Sequence, residues 1–147
     1  MREILFRGKR TDNGEWVYGY YTKARYYLDK KEMHIIFAPD GEAFPRCEFV
    51  DYEEVIPETV GQYTGLTDKN GRKIFEGDVI EFADFFDSEI HRGVAYWCDF
   101  AFWLDCTETE GDDEGIYSLA YISSNALEVI GNIYDNPELL KGGIDNG

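Results

Sequence analysis

Residues 94–106 read VAYWCDFAFWLDC, and this stretch decides the fold class. Every even position in it is apolar, whereas the odd positions include Asp99 and Asp105. A period of two residues is typical of a β-strand with one buried face. The stretch is too long for one ordinary strand, so we expect a break near Cys98 and Asp99. It therefore predicts two strands whose even positions face a core.

Shorter runs of aromatic and β-branched residues fill the rest of the chain, separated by glycine, asparagine and aspartate. This composition is typical of a mainly β protein with many turns. We expect strands at residues 4–7, 16–21, 33–37, 60–66 and 127–133, and a short C-terminal helix at residues 136–140.

Pro57 lies in the segment that we expect to connect two lobes. Proline cannot donate a backbone hydrogen bond, so it interrupts a sheet ladder. We predict a β-rich N-terminal lobe at residues 1–57, a second lobe with the C-terminal helix at residues 58–141, and a flexible tail at residues 142–147.

The charge of the chain is strongly negative, and most of it lies in the second half. There are 14 Lys+Arg and 30 Asp+Glu residues, a formal net charge of −16. Residues 1–73 contribute −1 and residues 74–147 contribute −15. Binding to a DNA duplex depends on neutralising phosphates with Lys and Arg, and anionic lipid headgroups attract the same cations. We therefore expect no direct nucleic-acid binding and no binding to a membrane surface.

Targeting and redox features favour the cytoplasm. The start of the chain has no long apolar run, and no stretch approaches the roughly 18 apolar residues of a membrane span. Cys47, Cys98 and Cys106 have no Cys-x-x-Cys spacing, which argues against a disulfide framework. We expect a cytoplasmic protein with reduced thiols.

Several stretches of the sequence resemble a known family. Residues 57–71 read PETVGQYTGLTDKNG, residues 74–80 read IFEGDVI, and residues 129–140 read VIGNIYDNPELL. With ILFRGKR at residues 4–10 and WVYG at residues 16–19, they resemble the YopX family of phage and prophage proteins. The resemblance implies a β-rich amino-terminal part joined to a small SH3-like barrel, and a phage or prophage origin, hence the host bacterial cytoplasm. The family is uncharacterised, so the resemblance implies no catalytic residue.

Residues that could carry catalysis form no recognised motif. The two histidines, His34 and His91, lie outside any zinc-binding spacing, so a zinc site or a Cys–His nucleophile would have to recruit a distant cysteine. The sequence has no glycine-rich phosphate-binding loop. We interpret Cys98 and Cys106 as small core residues, and we predict no enzyme activity, no cofactor and no metal.

Two groups of carboxylates invite a functional interpretation. Six acidic residues crowd positions 105–114, and hard cations favour clustered oxygen ligands. Counted from Asp105, Glu110 stands where an EF-hand loop has glycine, so the EF-hand spacing is not met. We interpret these residues as a solvated loop, with weak cation binding as the alternative. Glu76 and Asp78 flank Gly77 and could act as an acid pair, but Gly-Asp between two short strands favours a turn.

Aromatic residues are the better candidates for a binding surface. Trp97 and Trp103 fall on the odd, mixed face of residues 94–106, and Phe85 and Phe86 form an adjacent pair. Aromatic side chains are favoured anchors of protein interfaces. We therefore expect these four residues to contact another protein or a second copy of the chain.

The charge of the second half supports an alternative function. Fifteen net charges, at about 1.7 Å per duplex charge, correspond to about 25 Å of DNA. This length is comparable with the diameter of a domain of about 74 residues. The alternative is an acidic DNA mimic that occupies a host DNA-binding protein as a decoy.

Overall fold

The strands follow the runs of aromatic and β-branched residues. This computed structural model describes residues 3–25, 27–37, 52–83, 89–106 and 115–141. The strands are β1 (Phe6–Lys9), β2 (Trp16–Arg25), β3 (Glu32–Phe37), β4 (Tyr52–Glu54), β5 (Gly61–Thr67), β6 (Lys73–Phe75), β7 (Asp78–Ala83), β8 (Ile90–Cys98), β9 (Ala101–Asp105), β10 (Ile116–Ser118) and β11 (Leu127–Asn132). One-turn 3₁₀ helices span Pro57–Thr59, Leu119–Tyr121 and Ser124–Ala126, and a short α-helix, α1, spans Glu138–Lys141.

This architecture confirms a mainly β fold with a short C-terminal helix. The chain divides into two units, Met1–Tyr63 and Thr64–Gly147. The SH3-like barrel and the lobe boundary after residue 57 stay predictions. No helix in the described ranges is both long enough and apolar enough to cross a membrane.

The first unit is an antiparallel sheet with the strand order β4-β3-β2-β1, and the first residues of β5 pair with β1. β1 and β2, which include two of the predicted strands, form a hairpin with Phe6 opposite Gly19. Gly14 in its turn has a φ of 73°, which glycine adopts without steric strain. A Cβ at Gly19 would overlap the carbonyl oxygen of Phe37, so this strand position requires glycine.

The second unit contains a five-stranded antiparallel sheet with the order β10-β9-β8-β7-β11. One face of this sheet carries most of the unit's core. The buried residues of the core cluster are Ile74, Ile80, Phe82, Ala95, Leu104, Cys106, Leu119, Leu127 and Val129. Burying side chains of this kind contributes about 1.5–3 kcal/mol for each large one, so this cluster is the main source of the unit's stability.

The hairpin of β8 and β9 corrects the prediction for residues 94–106. The predicted break is confirmed, because β8 ends at Cys98 and β9 begins at Ala101. The prediction that all even positions share one face is wrong. The turn has only two residues, so Ala95 lies opposite Leu104 and the parity of the core-facing positions changes between the strands. Cys98 is consequently exposed rather than a core residue, whereas Cys106 is buried as predicted.

Asp68 closes the outer edge of β11. Its Oδ2 accepts a hydrogen bond of 3.0 Å from the N–H of Val129, and its Oδ1 accepts 2.9 Å bonds from the N–H groups of Asn70 and Arg72. The N–H of Lys69 donates to the carbonyl oxygen of Leu127 at 2.9 Å. A short turn therefore satisfies backbone groups that an edge strand would otherwise offer to another chain.

Glu76 and Asp78 form a turn and not an acid pair. Gly77 between them has a φ of 88°. Asp78 is buried, and its Oδ2 accepts a 2.8 Å hydrogen bond from the N–H of Phe75. The carboxylate of Asp78 thus fixes the connection between β6 and β7, as the sequence predicts.

Candidate functional site

The two predicted contact tryptophans lie on opposite faces of the second sheet. Trp97 is opposite Phe102, on the face that carries Ala95 and Leu104, whereas Trp103 is opposite Tyr96 on the other face. They therefore do not form one surface patch. Phe85 and Phe86, the other two predicted contact residues, lie outside the described residues.

Trp97 belongs to an exposed aromatic group at the end of the β8–β9 hairpin. We call residues 97–102 the β8–β9 tip. Trp97 is 46% exposed and packs edge-on against Phe102, with 4.7 Å between the ring centroids. Trp103 is turned away from this group, and its Nε1 donates to the carbonyl oxygen of Cys98 at 2.9 Å. Trp103 therefore supports the hairpin backbone.

Phe100 occupies the most unusual position in the described chain. It is 94% exposed. Its φ is +66°, and that of the preceding Asp99 is +48°. Two-residue hairpin turns with two positive φ values favour Asn-Gly or Asp-Gly, because a side chain is strained in the left-handed region. Here a phenyl group stands where glycine is favoured, and it projects into solvent.

The surroundings of the β8–β9 tip are anionic. Burial raises the pKa of Tyr96, and the negative charges of Asp105 and Asp99 raise it further. Asp99 itself sits at the turn beside Phe100. A partner of this tip must therefore accept an aromatic side chain next to a carboxylate.

His91, Cys98 and Cys106 are the histidine and cysteine residues that the structure describes in the second unit. His91 is buried and stacks on Phe82, with 5.2 Å between the ring centroids. Cys106 is buried in the core cluster, and Cys98 is exposed at the tip. Among the described residues, no group of three His, Cys, Asp or Glu side chains could hold a metal ion. Cys47 and positions 107–114 of the acidic loop lie outside the described residues.

In the first unit, His34 belongs to a polar network on the sheet surface. Its Nδ1 is 2.6 Å from the hydroxyl oxygen of Tyr21, and its Nε2 is 3.5 Å from a carboxylate oxygen of Glu32. These residues lie on neighbouring strands, β2 and β3. The sequence offers no signal for this network, because it depends on the register of the two strands.

The basic cluster at the start of the chain is engaged within the first unit. Arg7 and Lys9 lie over the ring of Trp16, at 4.6 Å and 5.4 Å from its centroid. Arg10 donates two hydrogen bonds to Asp12, and these bonds hold the pKa of the Asp12 carboxyl below its usual value. These cations therefore support the fold rather than presenting a free basic patch.

A row of aromatic residues crosses the first sheet. Tyr20 lies opposite Phe37, which lies opposite Tyr52, and both tyrosines are about half exposed. Aromatic residues are common in β-strands, which explains their presence in this row. Phe100 lies in a turn, where strand preference does not explain an aromatic residue. The β8–β9 tip is for this reason the stronger candidate site.

The protein is thus mainly β, with exposed aromatic side chains at the end of its β8–β9 hairpin. A family model described as YopX protein matches residues 5–141. The chain therefore belongs to the YopX family, and the resemblance found in the sequence is confirmed. No curated protein matches the sequence.

Two solved structures are similar to this chain. Protein yopX from Bacillus subtilis is 12% identical, with a TM-score of 0.52 over 92% of this chain and 95% of that one. Protein EF1440 from Enterococcus faecalis is 22% identical, with a TM-score of 0.51 over 95% of this chain and 99% of that one. At these identities the similarity shows a shared fold alone.

Proposed function

We propose that this YopX-family chain is a phage or prophage accessory protein of the host cytoplasm that acts by binding protein and not by catalysis. Its contact site is the β8–β9 tip, and its partner is another protein or a second copy of the chain. Phe100 carries the proposal, because an exposed phenyl group in a left-handed turn position lowers stability without any packing in return.

Trp97 and Phe102 extend the contact surface behind Phe100. The two rings pack against each other edge-on, so they are held rigidly before a partner binds. Rigid aromatic side chains lose little conformational entropy on binding and are enriched among interface anchors. The tip therefore combines one projecting anchor with a preorganised aromatic base.

Site-specific photocrosslinking tests this function. Phe100 is replaced by p-benzoylphenylalanine, and cells that express the variant are irradiated. We expect a covalent adduct with protein, which mass spectrometry identifies. The matched control carries the same group at Tyr121, which is 92% exposed in a 3₁₀ helix of the second unit. Adducts that are equal at both positions, or absent from position 100, would refute the proposal.

Four of the described carboxylates of the second unit do not support the acidic DNA mimic. Asp68 and Asp78 are buried acceptors of backbone hydrogen bonds. Glu81 pairs with Arg92 at 2.6 Å, and Glu128 pairs with Lys69 at 3.0 Å. These four carboxylates have local partners and are not available to imitate a row of phosphates, so we favour the aromatic contact.

A further inference from the structure

The hairpin of β2 and β3 extends beyond the strands beside it. β1 pairs with β2 over Trp16–Gly19, and β4 pairs with β3 over Ile35–Phe37. Beyond both pairings, Arg25 lies opposite Glu32 at the end of a two-stranded ribbon. We call residues 24–25 and 27–33 the β2–β3 arm. A two-stranded ribbon is only marginally stable by itself, so the arm gains stability from a partner that covers it.

Two apolar side chains project from the end of the β2–β3 arm. Tyr27 is 90% exposed and Leu28 is 78% exposed, and both lie in the turn of residues 27–29. The Oδ1 of Asp29 accepts a 2.8 Å hydrogen bond from the N–H of Lys31, which holds this turn in shape. Turns favour glycine, asparagine and aspartate, so turn formation does not explain the exposed tyrosine and leucine.

Three cations accompany these apolar side chains. Arg25, Lys30 and Lys31 are exposed, and none of them forms an ion pair with a residue that the structure describes. Lys23, by contrast, has its Nζ 3.7 Å from a carboxylate oxygen of Glu32. The arm therefore presents positive charge on a protein whose net charge is −16. A partner that fits the arm supplies negative charge beside apolar surface.

The β8–β9 tip has the complementary chemistry. Asp99 is an exposed carboxylate that forms no ion pair with a described cation, and it directly precedes Phe100, which is 94% exposed. Trp97 in the same tip is about half exposed. Lys and Arg side chains are attracted both to carboxylates and to the faces of aromatic rings. The arm cations thus match Asp99, and Tyr27 and Leu28 match the exposed rings.

Local charges determine whether two copies attract each other through these surfaces. Two chains of net charge −16 repel at long range, but at physiological ionic strength exposed charges more than about 8 Å apart are largely screened. The side chains that face each other therefore decide the contact. Those of the arm and of the tip have opposite charges, and such complementarity favours the correct partner and register.

The area of the contact indicates how many contacts a dimer needs. A fully buried aromatic side chain removes about 150–250 Å² from solvent. Covering the exposed parts of the four apolar side chains of arm and tip therefore buries about 600 Å². Stable protein interfaces bury about 1,200–2,000 Å², so one arm–tip contact is too small and two contacts reach the lower limit.

We propose that two copies of the chain form a dimer in which the β2–β3 arm of each copy binds the β8–β9 tip of the other. This inference rests on the proposed function and names a second copy as the partner. Tyr27 and Leu28 pack on Phe100, and the arm cations face Asp99. Because each copy uses its one arm and its one tip, the dimer is closed and does not grow further.

Charge reversal on each side tests the contact. Asp99→Lys and the double variant Lys30→Glu/Lys31→Glu each place like charges opposite one another, twice in every dimer. Sedimentation velocity over a range of concentrations should show the wild type as a dimer, and each variant with a dissociation constant at least about tenfold higher. The chain with all three substitutions restores opposite charges and should recover the wild-type dissociation constant to within about threefold.

Glu58→Lys is the matched control. It changes the net charge by the same amount as Asp99→Lys, and Glu58 is exposed in the 3₁₀ helix Pro57–Thr59. Both substitutions lower the long-range repulsion between copies, so Glu58→Lys should dimerise at least as tightly as the wild type. Weaker dimerisation of Asp99→Lys alone therefore reports a lost contact and not a change in net charge.

Mixing two apolar variants tests whether the arm and the tip meet each other. The double variant Tyr27→Ser/Leu28→Ser keeps its tip, and Phe100→Gly keeps its arm. Each variant alone has no complete arm–tip contact, whereas a mixed pair has one. The mixture should associate more tightly than either variant alone and more weakly than the wild type. All three side chains are exposed, so the thermal unfolding midpoints should not fall below that of the wild type.

Other outcomes overturn the inference. Triple-variant chains that stay as weak as the single reversals, or a mixture no tighter than its components, would place the interface elsewhere. A wild type that stays monomeric at every concentration would exclude self-association. If that monomer binds phosphatidylserine vesicles or a DNA duplex through Lys30 and Lys31, the arm serves a polyanion instead. Photo-adducts between position 100 and a different protein would then still support the proposed function, and the absence of any adduct would refute both proposals.

Discussion

Replacing Asp68 by alanine removes the carboxylate that ties the 68–72 turn to β11. Asp68 accepts three backbone N–H bonds, and the one from Val129 is buried. An unsatisfied buried N–H costs about 1–3 kcal/mol. The N–H groups of Asn70 and Arg72 are closer to solvent, and we take about 0.5–1 kcal/mol for each. We therefore expect Asp68→Ala to lower the free energy of unfolding by about 2–5 kcal/mol.

Asp68→Asn separates hydrogen-bond geometry from side-chain volume. An amide has one acceptor oxygen, whereas both carboxylate oxygens of Asp68 accept N–H groups. The amide nitrogen must then face a backbone donor, either at Val129 or in the turn. Asparagine should therefore cost about 2 kcal/mol or more despite its similar shape.

Urea unfolding followed by tryptophan fluorescence measures both variants, because Trp97 and Trp103 belong to the same unit as Asp68. The control is Glu128→Gln, which removes a partly exposed ion pair with Lys69 and should cost at most about 1 kcal/mol. If Asp68→Asn stays within about 0.5 kcal/mol of the wild type, the second carboxylate oxygen does not hold β11 and the reasoning is wrong.

Four further measurements follow from the structure. Burial alone would raise the pKa of Asp68, but the N–H bonds from Val129 and the turn hold it below the usual value. The ionised Asp68 carboxylate therefore stabilises the fold at pH values above its pKa in the unfolded chain, about 3.9, and this contribution is lost as the pH falls through its lower pKa in the folded protein. In an acid titration of stability, Asp68→Ala should lose less stability than the wild type. Gly93→Ala should destabilise by about 1–3 kcal/mol in urea, because its Cβ would lie 2.6 Å from the Sγ of Cys106. Phe100→Gly should stabilise by about 0.5–1 kcal/mol, since relief of the left-handed strain exceeds the added freedom of the unfolded chain; a loss of stability would show that the ring packs. Added NaCl should raise the thermal midpoint by screening the repulsion of the acidic half, whereas a flat response would mean well-paired charges.

Local patterns predicted most strands, and the residues show why the site was harder to predict. Alternation predicts β8 and β9, and Gly14 and Gly71 occupy turns with positive φ, where glycine is typical. The break at Cys98 was visible, but Asp99 and Phe100 lack the glycine that identifies a two-residue turn. The two-residue turn makes odd positions of β8 and even positions of β9 share one face of the sheet. Simple alternation places Trp97 and Trp103 on the same face, whereas they lie on opposite faces. A two-residue loop at the predicted break was the signal that could have revealed this.

Long-range contacts could not be predicted from one sequence. Asp68 and Val129 are 61 residues apart, and neither has a local pattern that points to the other. A surface cavity lined by Ala83, Ile90 and Ala126 likewise depends on contacts between β7, β8 and the 3₁₀ helix Ser124–Ala126. The composition shows that the chain is acidic. It does not show that Glu81 pairs with Arg92, because that ion pair depends on the register between β7 and β8.

The position of β11 in the sheet has a consequence for synthesis of the chain. β7 lies between β8 and β11, and its partner β8 follows it directly along the chain. Its other partner begins only at Leu127, so at about 5–20 residues per second the ribosome needs on the order of 2–9 s after Ala83 to complete that pairing. During this interval β7 is an open edge, a template for pairing with other chains. The nascent protein is therefore most vulnerable to aggregation just before its last strand emerges, and loss of the C-terminal strand would make that state permanent.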